Sequence, residues 1–315
     1  MRAHLWRHAA RPRHGKPFHS IFLSVIDAAI IATAVIATGA PPVRADGIRT
    51  ETASVDTEHL FGFVEGADIG SKGEREFVVD STLRAGRSAG SFAGTASELE
   101  FKYTTFQNFR ISAAAAAAYY DIAGVVGIED ARRAAIQSMS VDARFRLLDR
   151  AQAPFGLTLS VSPHWGFVDE TSGVRTGHYG AEIRLLADRE LKADRLAGAI
   201  NLVFANDRAR LLASDGVQHE SLVAGGVAVA AQIAPGLWLG GETRYLRDYS
   251  GAALNVFAGQ ALYTGPTVYA RVGSDAFVSA AWDIQIWGGA VGAPGALDLA
   301  NFERHQVKLR FGLEF

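Results

Sequence analysis

The chain has 315 residues, of which 49% are hydrophobic and 20% charged, an ordinary composition for a soluble protein. Its 31 Lys and Arg residues against 33 Asp and Glu residues give a formal net charge of -2, which disfavours a nucleic-acid binder that relies on bulk positive charge. The absence of cysteine excludes disulfides, thiolate catalysis and cysteine-ligated zinc or iron–sulfur centres.

The first 45 residues have the layout of a secretory signal peptide. Basic residues precede any acidic residue, and an apolar run over 21–37 follows them. We predict cleavage after Ala45, which leaves an acidic mature chain. The alternative is an uncleaved anchor helix, but the apolar run is barely long enough to span a bilayer and contains Asp27. Residues 46–74 are predicted to form either a periplasmic tail or a segment folded into the lumen of a barrel.

From residue 75 onward, apolar and polar residues alternate along much of the chain. This period of two is typical of β-strands with one apolar and one polar face, and it argues against a helical membrane protein and an α/β enzyme core. The alanine run within 111–120 is also compatible with a helix, but its position between two clear strands favours a strand. The predicted strands lie near 75–86, 96–105, 108–120, 138–149, 154–167, 176–187, 194–206, 219–233, 236–248, 261–272, 275–288 and 304–315.

The predicted connections alternate in length. Those after odd-numbered strands are long or polar, whereas those after even-numbered strands are mostly short, with the charged connection 188–193 as the exception. Each strand is long enough to cross a bilayer, because a tilted strand needs about 9 to 11 residues. Long loops on one side and short turns on the other are typical of outer-membrane barrels. We therefore predict an all-β chain, a transmembrane antiparallel up-and-down β-barrel of about twelve strands over 75–315.

Aromatic residues of the apolar face support this prediction, since outer-membrane barrels carry an aromatic girdle at each membrane interface. The group predicted near the short-turn ends of the strands consists of Phe77, Phe109, Phe145, Phe155 and Phe315. The group predicted near the long-loop ends consists of Tyr119, Trp165, Tyr179, Phe204 and Tyr245.

The loop 127–136 is predicted to form either a short helix over the mouth or a solvated loop. Arg132 and Arg133 there could bind lipopolysaccharide phosphates, because guanidinium groups match phosphate oxygens.

The C-terminal segment 307–315 alternates strictly and ends in phenylalanine. It resembles the terminal strand of Gram-negative outer-membrane β-barrel proteins, of an uncharacterised porin-like or transporter-like kind, and the resemblance covers 76–315 at the level of pattern. It implies that Phe311 and Phe315 belong to the signal recognised by the barrel assembly machinery. It also implies a location in the cell outer membrane, in contact with lipid and lipopolysaccharide. The motif is specific for the assembly route and names no substrate.

If the apolar face is outward, charges of both signs line the lumen. Either these ions pair across strands as a structural network, or they form a polar pathway that orients small charged or zwitterionic solutes, and both can hold at once. Twelve strands enclose more space than the eight-stranded barrels that side chains fill, and less than open porins. The candidate lumen-lining residues are Glu98, Glu100, Lys102, Arg110, Asp142, Arg144, Arg146, Glu182, Arg184, Glu242, Arg244, Arg271, Asp283, Lys308 and Arg310.

The sequence therefore predicts a channel or transporter for small polar solutes, without enzymatic activity, cofactor, metal or nucleic-acid partner. Rival hypotheses are a structural or plugged barrel, a lipid-handling outer-membrane enzyme, and a soluble β-protein with its apolar face inward. A lipid hydrolase would need an outward-facing Ser and His at the outer rim, whereas His164 and His178 are predicted inward and His219 near a loop. His164 and His178 could approach each other, but a histidine pair without a carboxylate signature is more often structural than metal-binding.

Overall fold

The computed structural model describes residues 56–211 and 217–315, so the predicted signal peptide lies outside the described residues. The described residues form twelve strands in one closed barrel. In chain order the strands are Arg75–Ala85 (β1), Ser91–Phe106 (β2), Phe109–Ala123 (β3), Ala131–Leu148 (β4), Gly156–Val168 (β5), Arg175–Lys192 (β6), Leu196–Leu211 (β7), Val217–Ala234 (β8), Leu237–Ser250 (β9), Val256–Val272 (β10), Ala276–Ala290 (β11) and His305–Glu314 (β12).

Each strand pairs antiparallel with its neighbours in sequence, and β1 pairs with β12 to close the sheet. The closing register runs from Glu76 opposite Glu314 to Ala85 opposite His305. Closure pairs the backbone groups of every strand, which an antiparallel sheet in hydrocarbon requires. The predicted antiparallel up-and-down β-barrel of about twelve strands is confirmed. Across the described ranges, no helix is long and apolar enough to cross a membrane.

Several strands extend beyond their predicted bounds. Neither the short helix nor the solvated loop predicted over 127–136 is found as such, because β4 begins at Ala131 and pairs with β3 as far as Ala131 opposite Ile122, and only 127–130 lie in the connection. The alanine run lies in β3, as predicted, since pairing with strands on both sides outweighs the high intrinsic helix propensity of alanine. The charged connection predicted over 188–193 is also wrong, because β6 continues to Lys192.

The apolar face of the strands points outward. Large hydrophobic side chains are exposed around the outside, for example Leu202 at 57% and Leu99 at 50%. Of the predicted girdle residues, Phe109 and Phe204 are half-buried and the others are exposed. A soluble protein rarely exposes so much contiguous apolar surface, whereas a lipid-facing barrel requires it. This orientation contradicts the soluble alternative, in which the apolar face would line an interior cavity.

The barrel interior is divided along its axis. The short turns, such as 107–108 and 235–236, mark the periplasmic rim, and the longer connections, such as 291–304, mark the outer rim. Residues 56–74, which we call the lumenal segment, precede β1 and fill the periplasmic half of the lumen. Most of their side chains over 57–69 are buried. A charged cavity occupies the outer half.

Two apolar clusters narrow the outer end of the lumen. On the β2–β4 side, Tyr120 and Ile122 pack with Phe92. On the opposite side, the connection 291–304 folds inward and packs Phe302 against Tyr263. The cavity reaches the outer rim between them, beside β5 to β8, where exposed residues such as Glu170 and Glu220 line it.

Candidate functional site

Glu58 of the lumenal segment lies among three cations of the barrel wall. Its carboxylate accepts hydrogen bonds from Lys102 Nζ at 2.7 Å, from both terminal nitrogens of Arg110, and from Arg144 Nη1 at 3.5 Å. All four side chains are buried. Burial alone would raise the pKa of the Glu58 carboxyl, but Arg110 and Lys102 outweigh burial and hold this pKa well below its usual range. Glu58 therefore stays ionised and ties the segment to β2, β3 and β4.

Glu65 makes a second ionic contact between the segment and the wall. Its carboxylate lies 2.7 Å from Arg144 Nη2, 3.1 Å from Arg184 Nη1 and 3.5 Å from Arg310 Nη2. Its backbone N–H donates to Asn201 Oδ1 at 2.7 Å, and its carbonyl accepts from Asn201 Nδ2 at 2.8 Å. Opposite sides of the barrel thus meet at one carboxylate of the segment.

Wall carboxylates bind the backbone of the lumenal segment, which is not in a strand. Glu242 accepts hydrogen bonds from the N–H groups of Phe63 at 2.9 Å and Val64 at 2.8 Å. Asp188 accepts from the N–H of Ala67 at 2.8 Å and from the hydroxyl of Thr57. These contacts satisfy backbone groups that would otherwise be buried without a partner.

The segment also packs against an apolar sector of the lumen, which sequence reasoning missed. Leu60, Phe61 and Val64 contact inward-facing residues of β7 to β11. The residues that form this sector are Ala197, Ala199, Ala228, Ala230, Trp238, Tyr269 and Phe277. The sequence carries a signal for it, because β7 and β8 are apolar on both faces where the other strands place charges inward. Small side chains on the wall leave room for the segment.

His59 has a restricted protonation state. Arg310 Nη1 lies 3.0 Å from His59 Nδ1, so this nitrogen must accept the hydrogen bond and carry no proton. His59 Nε2 lies 2.9 Å from both Lys102 Nζ and Glu76 Oε1, and the ring stacks on Phe277 at 4.5 Å between centroids. Burial and the charge of Lys102 lower the pKa of His59. The imidazole is therefore neutral while the segment occupies the lumen.

Above the segment lies a cavity of about 650 Å³. Its floor contains Glu58, His59 and Glu65, and its walls carry both acids and bases. The candidate residues that line this cavity are Glu98, Glu100, Lys102, Asp142, Arg144, Glu182, Arg184, Lys308 and Arg310. The cavity is thus a charged vestibule that opens at the outer rim and ends at the lumenal segment.

The other candidate lumen residues lie below the vestibule or at the periplasmic rim. Arg110 and Glu242 bind the lumenal segment, and Arg244 pairs with Asp283 at 2.8 Å while stacking on Phe63. At the periplasmic rim, Arg146 lies 3.4 Å from Asp68 and Arg271 lies 2.9 Å from Glu314. The terminal aromatic residues face outward on β12 or directly after it, where Phe311 is half-buried and Phe315 is 52% exposed.

The closed twelve-stranded barrel, its apolar exterior and its charged lumen define an outer-membrane β-barrel, and the protein is located in the outer membrane. The resemblance of the terminal strand to such barrels is confirmed at the level of fold. The chain belongs to a family of unknown function, DUF6662, whose match covers residues 53–315. No curated protein matches the chain.

Solved structures share the fold at low sequence identity. The COG4313 outer membrane channel from Pseudomonas putida F1 is 10% identical and superposes with a TM-score of 0.56, over 80% of this chain and 100% of that chain. The translocator domain of the autotransporter NalP from Neisseria meningitidis is 13% identical with a TM-score of 0.50, over 79% of this chain and 91% of that chain. One neighbour is a channel and the other a translocator domain, so the likeness establishes the barrel fold alone.

Proposed function

We propose that the protein is an outer-membrane channel for small polar solutes and that the lumenal segment closes it in the described conformation. The observation that carries this proposal is the charged vestibule, which runs from the outer mouth to Glu58 and Glu65 of the segment. Rings of charged side chains select solutes in other pores. Because acids and bases both line the vestibule, we expect small charged or zwitterionic solutes rather than apolar ones.

The way in which the segment is held supports reversible closure. The segment is not part of the barrel ladder. Its ionic contacts are made to wall residues, which water could solvate once the segment leaves the lumen. The rival hypothesis of a permanently plugged, structural barrel is supported by the same dense ion network. The mobility of the segment decides between the two.

The proposal includes no enzymatic activity. His164 and His178 line the vestibule instead of facing lipid. His305, which the sequence reasoning overlooked, lies on the outward face of β12, where Trp282 Nε1 donates to its Nδ1 at 3.4 Å. A lipid hydrolase would instead require an outward serine hydrogen-bonded to such a histidine.

A disulfide between the segment and the wall would test closure. A Cβ atom at position 226 of β8 would lie 2.9 Å from Val64 Cγ2, so cysteines at these two positions are within bonding reach. The native chain has no cysteine to compete. In planar bilayers, the refolded Val64→Cys/Gly226→Cys protein should conduct in discrete steps under reducing conditions and fall silent on oxidation.

The control is a disulfide that leaves the segment free. Ser81 and Ser97 face each other across β1 and β2, with their hydroxyl oxygens 2.9 Å apart. Oxidation of Ser81→Cys/Ser97→Cys should leave conductance unchanged. Equal conductance of the oxidised and reduced Val64→Cys/Gly226→Cys protein would show that the segment is not the closure. Silence of a correctly folded protein in both states would favour the structural barrel.

We also propose that the barrel assembly machinery recognises the C-terminal strand, including Phe311 and Phe315. Phe315 extends the ladder beyond β12, since its N–H donates to the carbonyl of Arg75 at 2.9 Å and its ring stacks on Phe77 at 5.6 Å between centroids. Deleting Phe315 should lower the heat-modifiable, folded fraction in outer membranes several-fold. The control is Phe155→Ala, because Phe155 is another exposed aromatic residue near the periplasmic rim. This variant should keep the folded fraction near the native level. Unchanged yield after the deletion would contradict the assembly role.

A further inference from the structure

Three metal-ligating side chains converge on the vestibule wall near the outer mouth. They are His164 on β5, His178 on β6 and Asp207 on β7, all half-buried. His164 Nε2 lies 2.7 Å from Asp207 Oδ1, and the two imidazole rings are 6.1 Å apart between centroids at an angle of 70°. One ligand atom from each residue lies within 4.8 Å of the others. Small side-chain rotations would bring these atoms around one ion, at about 2.0–2.2 Å.

Two glycines of the strand ladder make this convergence possible. Gly180 stands between His164 and Asp207 in the register of β5, β6 and β7, and Gly166 stands opposite His178. A Cβ atom at position 180 would overlap the Asp207 carboxylate, and one at position 166 would overlap the His178 ring. The missing side chains let His164 reach Asp207 across the intervening strand. The pocket is therefore a feature of the wall itself, not of a mobile loop.

The electrostatic surroundings favour a cation. Among the ion pairs of the described residues, Asp207 has His164 as its only basic partner, so its charge is not neutralised by Lys or Arg. Glu170, Glu220 and Asp248 line the same vestibule. Carboxylates that line a cleft raise the local concentration of cations.

A second group of His and carboxylate side chains lies beneath the vestibule and consists of Glu58, His59 and Glu76. Unlike the group at the outer mouth, it already has a basic side chain beside it. Lys102 Nζ lies 2.7 Å from Glu58 and 2.9 Å from His59 Nε2, and thus already places a positive charge among these residues. Among the ion pairs of the described residues, the cluster of His164, His178 and Asp207 has no Lys or Arg partner of this kind. We therefore select this cluster as the one suited to a metal ion.

We propose that His164, His178 and Asp207 form a binding site for a divalent transition-metal ion at the outer mouth of the barrel. Two imidazoles and one carboxylate suit Zn²⁺ and its first-row neighbours, whereas Mg²⁺ and Ca²⁺ prefer all-oxygen sites. Three protein ligands leave at least one coordination position open toward the vestibule, so the ion can exchange or accept a solute ligand. The site requires a folded barrel but does not depend on conduction.

Calorimetric titration of the folded, chelator-treated protein with Zn²⁺ in detergent tests the site. The native protein should bind one ion per chain, and His164→Ala, His178→Ala and Asp207→Asn should each weaken binding by more than about ten-fold. Losing even an outer-shell partner of a metal ligand lowers affinity about 10- to 100-fold, so losing a ligand should do at least as much. With Co²⁺ as a second probe, the visible spectrum should report imidazole ligation and lose intensity in both histidine variants.

The control is His219→Ala, because His219 is an exposed histidine on β8 near the same rim and outside the cluster. This variant should bind Zn²⁺ like the native protein. Heat-modifiable migration verifies that each variant is folded. Native affinity in folded His178→Ala, or equal losses in all variants including His219→Ala, would overturn the proposal in favour of diffuse attraction by the acidic vestibule. These measurements need no bilayer, so their failure is distinct from failure of the channel proposal.

Discussion

Replacing Glu58 with Gln should release the lumenal segment while leaving the barrel folded. The carboxylate of Glu58 is the shared anion for Lys102, Arg110 and Arg144, all of them buried. Removing one partner of a buried ion pair destabilises by about 3–5 kcal/mol. Here the loss falls chiefly on Arg110, which among the described residues forms an ion pair with Glu58 alone, whereas Lys102 keeps Glu76 and Arg144 keeps Glu65. The barrel ladder does not involve Glu58, so the loss falls on the contact between segment and wall.

Thiol labelling can measure this release. Val64 is 1% exposed and nearly isosteric with cysteine, so Val64→Cys reports whether the segment has left the lumen. Adding Glu58→Gln should raise the labelling rate of Val64→Cys by about 10² or more. This factor corresponds to a loss of about 3–5 kcal/mol, reduced by the neutral hydrogen bonds that the Gln side chain can still accept. Single-channel recordings of the same protein should show a larger open fraction.

Glu129→Gln is the matched control, because Glu129 is an exposed carboxylate in the connection between β3 and β4. It should leave the labelling of Val64→Cys unchanged. If Glu58→Gln also leaves labelling unchanged, the apolar contacts of Leu60 and Phe61 hold the segment, and the ion cluster does not control closure.

The barrel itself was predictable because its information is local. Alternation with a period of two identifies a strand and its lipid-facing side together, and loop lengths then identify the rims. The errors occurred where pairing extends a strand past its alternating part, as in β4 before residue 138 and β6 after residue 187. At such ends the partner strand, and not the local sequence, decides the structure.

The sites were less predictable because they depend on contacts between distant parts of the chain. The lumenal segment has no periodic pattern, so nothing local pairs Glu58 with Arg110 or Glu65 with Arg310. Asp207 was predicted to lie in a loop, since the predicted seventh strand ended at residue 206. The observed register places Asp207 opposite Gly180 and supplies the carboxylate that the predicted histidine pair lacked. The extension of β7 beyond residue 206, to Leu211, therefore changes the interpretation of His164 and His178.

Acidification below about pH 6.5 should also release the segment, through His59. Protonation at Nδ1 would replace an accepted hydrogen bond by a contact between two cations, because Arg310 Nη1 lies 3.0 Å away. Lys102 faces the other ring nitrogen, and the carboxylates of Glu76 and Glu58 only partly offset these charges, since the net shift lowers the His59 pKa. The released histidine has an ordinary pKa of about 6.5 and binds the proton more readily.

The direction of the pH effect on closure follows from the difference between the His59 pKa in the occupied state and that in the released state. Since the occupied state lowers the pKa of His59, its contribution to closure is complete above about pH 6.5 and is lost as pH falls. Glu58 contributes little to this change above about pH 5, because its carboxyl is ionised in both states there. At lower pH it would act in the same direction as His59, since the occupied state holds its pKa well below the usual range. Below pH 6.5, each further pH unit should favour release by up to about ten-fold, until His59 titrates in the occupied state as well.

Labelling of Val64→Cys between pH 7.5 and 5, with each rate normalised to that of the unfolded chain at the same pH, should therefore rise on acidification. His59→Asn should remove the rise, because an amide oxygen can accept from Arg310 without titrating. Any pH dependence of labelling that remains in His59→Asn should be a fall on acidification. Burial raises the pKa values of Asp56 and Asp68, so acid favours the occupied state through these two groups. A rise that persists unchanged in His59→Asn would assign the pH response to another group and remove His59 from the closure mechanism.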